Sequence, residues 1–131
     1  MYLFLDDNQR RIDQFLDDHK DATRYGELHT TKFAEEAIEL IRKNRYDYVS
    51  LDHDLEPSHY TPNWDRDDHL HDPCFGSHAG CDVAKFIASL PPEQRPRHVN
   101  IHSWHRPAAR TMGRLLLAVG MRPTLVKSQI A

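Results

Sequence analysis

Tyr48-Val49-Ser50-Leu51-Asp52-His53-Asp54-Leu55 is the stretch whose reading decides the fold. Tyr46, Tyr48, Val49 and Leu51 form an apolar, β-prone run, the pattern of a strand buried in a sheet. The run delivers two carboxylates and an imidazole at its carboxyl end. In open α/β sheets, ligands bind just past the carboxyl ends of the strands. The stretch is therefore both a core strand and the expected floor of a site.

Outward from that strand the chain alternates. Residues 2–7 read as a short buried strand ending in Asp6 and Asp7. A helix follows from Asn8, a good N-cap, with Ile12, Phe15 and Leu16 on one face. Residues 22–29 read as a weaker second strand nearer an edge. Residues 31–44 read as a second helix with Phe33, Ala34, Ala37, Ile38 and Ile41 at helical spacing. Beyond the central strand, residues 56–78 hold three prolines and many Asp and His with no periodicity; a loop of that length within a compact domain is functional or disordered. The pattern resumes at Ala79-Gly80 with the helical stripe Val83, Phe86, Ile87 and Leu90, stopped by Pro91-Pro92. Residues 98–103 give a fourth strand. Residues 107–119 give a helix with Ala108, Met112, Leu115, Leu116 and Val119 inward, ended by Gly120, and residues 122–128 a fifth strand.

Repeated strand–helix alternation predicts an α/β fold whose parallel sheet is covered on both faces. Right-handed crossovers leave few topologies, and the common small one is the flavodoxin-like strand order 2-1-3-4-5. The expectation is a single domain over residues 1–131, a three-layer sandwich around a five-stranded parallel sheet. It has a long loop insert after strand 3 and no helix after strand 5.

The bulk numbers bound the function. A chain of 131 residues makes one domain with a real core. The net charge of −3 gives no general basic field for duplex nucleic acid. A mean hydropathy of −0.73 is low for such a fold, and the polar segment 56–78 accounts for the deficit. No run approaches membrane-spanning length and the N-terminus is no signal peptide. Two cysteines make no disulfide scaffold, so a cytoplasmic location is expected. Ten histidines is the one abnormal count.

In the assumed strand order, Asp6, Asp7, Asp52, Ser103 and Lys127 lie at the carboxyl ends of strands 1, 3, 4 and 5 and converge. Clustered carboxylates repel and need a cation or shared protons. A hard divalent ion, Mg²⁺ or Mn²⁺, held by Asp6, Asp7 and Asp52 and completed by phosphate oxygens, is the expected resident. Lys127 adds a charge for a phosphoryl oxygen and Ser103 a hydroxyl donor. The bland reading is that Asp6 and Asp7 cap the first helix and Lys127 is a solvated surface residue; the joint placement favours a site.

This set resembles the receiver domain of two-component response regulators. There an acidic pair follows strand 1, a phospho-acceptor Asp strand 3, a Ser or Thr strand 4 and a Lys strand 5. The chain departs in three places: only four residues follow Lys127, Ser128 stands where a Pro is usual, and the loop after strand 3 is long. A closer resemblance lies in Ser50-Leu-Asp-His-Asp-Leu55, Gly80-x-Asp-Val83 and Ile101-His-Ser103 followed by a Pro, an Arg and Met112. These look like the cyclic-phosphate processing receiver family of phages and bacteria. The departures are Glu56 for Gly, Ala79 for Thr, and Trp104-His105-Arg106-Pro107 around an Asn-Pro position. The resemblance implies processing of a cyclic phosphate rather than relay of a phosphoryl group.

Opening a 2′,3′-cyclic phosphate needs a base for water, an acid for the leaving oxygen and charge stabilisation on phosphorus. Histidine suits both proton roles near neutral pH, and His53 and His102 are the candidate pair. Strand alternation sets His102 and Ser103 on opposite sides unless the strand bends there. Taken singly, each His reads equally well as a helix cap or a satisfied core group.

A second candidate metal set lies in the insert. His69, His71, Cys74, His78 and Cys81 give five possible ligands in thirteen positions, without matching a standard zinc-finger spacing. Its functional reading is a Zn²⁺- or Mn²⁺-stabilised lid, and its bland reading a solvated acidic loop with incidental cysteines. Tyr60 and Trp64 either stack on a base or pin the loop to the domain.

The leading expectation is a metal-assisted phosphoester hydrolase acting on a cyclic phosphate. Its partner is a small phosphorylated substrate, a nucleotide or an RNA end, with no membrane and no duplex nucleic acid. The residues expected to act are Asp52, His53, Asp54, His102, Ser103 and Lys127. Two alternatives stay open: a signalling receiver with Asp52 as phospho-acceptor, and a permuted haloacid-dehalogenase-like phosphatase with Asp52 as nucleophile and Asp54 as acid.

Overall fold

The computed structural model describes residues 1–21, 25–52, 80–102 and 106–126. Its elements run β1 (Tyr2–Leu5), α1 (Gln9–His19), β2 (Leu28–Thr31), α2 (Ala34–Lys43), β3 (Tyr48–Leu51) and α3 (Gly80–Ser89). After a 3-10 turn (Pro92–Gln94) come β4 (His98–Ile101), α4 (Arg106–Leu117) and β5 (Thr124–Leu125). The strands form one sheet in the order β2-β1-β3-β4-β5, every neighbour pair parallel. That is the flavodoxin-like order expected from the alternation.

Register positions the site. Leu5 pairs with Leu51, Leu51 with Ile101 and Ile101 with Leu125, so these four share one row across the sheet. The residues one step further are Asp6, Asp52, His102 and Val126. The ladder carries on through them: Asp6 N–H donates to Thr31 O at 3.1 Å, Asp52 N–H to Leu5 O at 3.0 Å, His102 N–H to Leu51 O at 3.0 Å and Val126 N–H to Ile101 O at 2.8 Å. The backbone of each of these residues is therefore fixed by the sheet rather than by a loop.

Strand alternation splits the sheet into two faces. Leu3, Leu5, Val49, Leu51, Val99 and Ile101 point into a core completed by Ala37 and Ile41 of α2, Val83, Ala84 and Ile87 of α3, and Met112 and Leu116 of α4. Each such side chain contributes about 1.5–3 kcal/mol on burial, so this face carries most of the stability. Tyr2 and Phe4 face the other way and meet Ile12 and Phe15 of α1, with Tyr25, Leu28 and Tyr48 packed alongside. Among the described residues, α1 supplies the helical cover on that side, so helices lie on both faces of the sheet, as the three-layer expectation has it. The described residues end at Val126, so the expected absence of a helix after β5 lies outside them.

Four details differ from the sequence reading. The second strand starts later than 22–29, at Leu28, because Gly26 turns the chain at φ 66° and Tyr25 packs against Tyr2 and Tyr48 instead of joining the sheet. Phe33 is not in the α2 stripe: it is the N-cap, 59% exposed, and its N–H donates to Thr31 Oγ1 at 3.2 Å. Leu16 lies at the margin of the α1 face, 37% exposed. The fifth strand is two residues long, and both are exposed. Gly120, at φ 84°, ends the last helix as the sequence indicates. No helix among the described residues is long and apolar enough to cross a membrane.

Candidate active site at the strand ends

Asp6 and Asp52 end adjacent strands, and Asp7 opens the turn into α1. They bring carboxylate oxygens within 4.8 Å of one another. Asp6 is fully buried, Asp52 is 3% exposed, and Asp7 is half-buried. Asp6 also holds the turn that starts α1, accepting the Asn8 N–H at 2.9 Å, while Asn8 caps the helix by accepting the Arg11 N–H at 3.2 Å. The capping reading and the site reading thus share one residue.

Like charges this close oppose folding unless compensated, and the compensation is Arg11. Its Nε lies 3.0 Å from Asp6 Oδ2. Its terminal nitrogen lies 3.8 Å from Asp7 Oδ1 and 3.7 Å from Asp52 Oδ2. Sequence reasoning missed Arg11, and a signal was present. A cation in the first turn of a helix opposes the helix dipole, so an Arg there points to an acidic partner outside the helix, and Asp7 stands four residues before it.

His102 is brought to the cluster and hydrogen-bonded through both ring nitrogens. In the neutral ring its Nε2–H donates to Asp6 Oδ2 at 3.0 Å, and its Nδ1 accepts from the Ser50 hydroxyl at 2.7 Å. The ring stacks on Phe4, centroids 4.6 Å apart and planes 7° from parallel, and the residue is 8% exposed. Both nitrogens are engaged, and through them His102 ties Asp6 to Ser50 and orients its carboxylate. Ser50 is the second residue missed. A hydroxyl at a face-alternating position inside an apolar strand, two residues before Asp52, needs a buried partner. Further down the same face, Asn100 Nδ2 donates to the Tyr2 hydroxyl at 3.0 Å, and burial raises the Tyr2 phenol above its usual pKa while the Asn100 bond opposes the rise.

The other predicted residues divide as follows. His53, Asp54, Ser103 and Lys127 lie outside the described residues, as do His69, His71, Cys74 and His78. Cys81 is fully buried in the first turn of α3.

The donor set fits a hard divalent cation. All three candidate ligand atoms are carboxylate oxygens within 4.8 Å of one another, and opposite ligands lie about 4.0–4.2 Å apart around Mg²⁺ and about 4.6–5.2 Å apart around Ca²⁺.

The sequence profile of the cyclic-phosphate processing receiver domain matches residues 1–118. Among solved structures, a signal receiver domain ascribed to a Luxo repressor protein of Vibrio parahaemolyticus superposes with a TM-score of 0.64 at 17% identity, covering 99% of this chain and 78% of that one. A response regulator protein of Burkholderia pseudomallei, solved with a phosphorylated aspartic acid, a calcium ion and citrate, superposes at 0.59 with 14% identity. That match covers 99% of this chain but 59% of the regulator's. At these identities the likeness is one of fold. No curated protein matches the chain.

Proposed function

The chain belongs to the cyclic-phosphate processing receiver family, and from that premise we propose that it hydrolyses a cyclic phosphate, on a nucleotide or an RNA end, at a divalent-cation site formed by Asp6, Asp7 and Asp52. The observation that carries this reading is the convergence of the three carboxylates within 4.8 Å at the carboxyl edge of the sheet. When bound, a divalent ion neutralises charge on the phosphoryl oxygens. The ladder hydrogen bonds hold the backbones of Asp6 and Asp52 in place for it. In the reaction, water forms a new bond to phosphorus and one ring P–O ester bond breaks. One proton leaves the attacking water and one arrives at the released hydroxyl. Those proton transfers are assigned to the pair His53, next to Asp52 in the chain, and His102, bonded to Asp6, with Ser103 and Lys127 as further phosphoryl contacts.

A second reading is a signalling receiver in which Asp52 accepts a phosphoryl group. It is supported by the fold likeness to receiver domains, one of them solved with a phosphorylated aspartic acid and a calcium ion. The phosphatase alternative needs Asp54, which lies outside the described residues. One substrate panel separates the three. Turnover confined to 2′,3′-cyclic nucleotides supports hydrolysis of the ring. Mass gain at Asp52 from a small acyl phosphate without such turnover supports the signalling receiver, and broad hydrolysis of simple monoesters supports the phosphatase.

A further inference from the structure

Arg11 is the feature of the site that the proposed reaction does not yet use. Its guanidinium lies within 4 Å of all three carboxylates. Its side chain is 15% exposed, so little water screens these contacts. It enters from α1, where the dipole disfavours a cation, so the acid cluster rather than the helix accounts for its place. Formal charges then decide what the site accepts. Among the described residues, three carboxylates with one guanidinium carry −2, which a divalent ion brings to zero. Without the guanidinium the loaded site would keep a charge of −1 and repel an incoming anion.

We infer that Arg11 is the internal counter-cation of the acid cluster, setting its charge so that a divalent ion and a phosphoryl anion bind together and each binds poorly alone. The inference rests on the reading of Asp6, Asp7 and Asp52 as a divalent-cation site. In the free protein, Arg11 compensates the carboxylates and competes with the ion. With the ion present, the same positive charge stands beside the place where a phosphoryl oxygen must enter. A guanidinium is suited to that contact because its planar array of donors matches phosphate oxygens.

The test is calorimetric titration of Mg²⁺ into the wild-type chain, Arg11→Gln and Arg11→Lys, each with and without inorganic phosphate, with folding followed by circular dichroism. In the wild type, phosphate is expected to tighten Mg²⁺ binding about tenfold, a coupling of ordinary size. In R11Q, Mg²⁺ alone is expected to bind about tenfold tighter, from loss of the competing charge, and the phosphate effect to vanish. R11K keeps the charge but not the planar donors, and is expected to bind Mg²⁺ alone like the wild type with a smaller phosphate effect. If R11Q unfolds for lack of a counter-cation, Mg²⁺ is expected to restore its fold. Wild-type behaviour in R11Q overturns the inference and leaves the cation site standing, as does an R11Q chain that stays unfolded at every Mg²⁺ concentration. Tighter Mg²⁺ binding with the phosphate effect retained overturns the coupling. Absence of Mg²⁺ binding in all three chains overturns the cation site and the inference with it.

Discussion

Nε2 of His102, at the end of β4, lies 3.0 Å from Oδ2 of Asp6, at the end of β1, so one imidazole ties together two strands that are not neighbours in the sheet. Ser50, on the strand between them, holds the ring from its other nitrogen at 2.7 Å. Residues that orient a metal-binding carboxylate in this way typically matter about 10–100-fold for metal affinity. His102→Phe keeps the stack on Phe4 and removes both hydrogen bonds. It is expected to weaken Mn²⁺ binding within that range and to cost about 1–3 kcal/mol of stability through the stranded Ser50 and Asp6, both measurable by titration and urea denaturation.

Ser50→Ala tests the same relay from its far end. Removing one partner of a buried hydrogen bond is expected to cost about 1 kcal/mol. Because Ser50 and His102 share one interaction, the double variant is expected to lose less than the two single losses combined. Additive losses in a double-mutant cycle would show that Ser50 does not act through His102.

Asp7 is the most exposed member of the cluster, with its side chain 23% exposed, and its removal relieves like-charge repulsion without leaving a hole in the core. Asp7→Asn is expected to raise the melting temperature of the metal-free protein by a few degrees, as about 1 kcal/mol does in a domain of this size. It is also expected to abolish the further rise that Mg²⁺ produces in the wild type. Thermal melts with and without Mg²⁺ read both effects.

Burial holds the Tyr2 phenol above the usual value of 10.0, against the lowering effect of its bond from Asn100. A group whose pKa is raised on folding contributes stability that is complete below its unfolded pKa and is lost as pH rises through the folded one. The wild type is therefore expected to lose stability above pH 10 more steeply than Tyr2→Phe. Parallel slopes for the two chains under alkaline denaturation would contradict the assignment.

The sheet was legible because β1 and β3 are apolar runs of the right length ending in acids and β4 alternates buried Val99 and Ile101 with polar residues, and all three sit where those patterns predict. The edges were less legible. β2 has half-buried residues and β5 exposed ones, so neither carries a strong burial pattern, and Gly26 moved the start of β2 by its backbone alone. In the site, the acids could be placed from strand order. The role of His102 could not, because it depends on which neighbours its two nitrogens meet across the sheet. Arg11 and Ser50 matter through tertiary partners, and their only local traces are a cation in the first turn of a helix and a hydroxyl in an apolar strand.

The most direct measurement of the central claim is phosphorus NMR of 2′,3′-cyclic AMP incubated with the purified chain, with and without Mg²⁺ or Mn²⁺, beside Asp52→Asn. The account predicts that the cyclic diester signal gives way to a monoester signal only when the divalent ion and Asp52 are both present. A diester signal unchanged across both ions, or conversion that proceeds equally well in D52N, would contradict it.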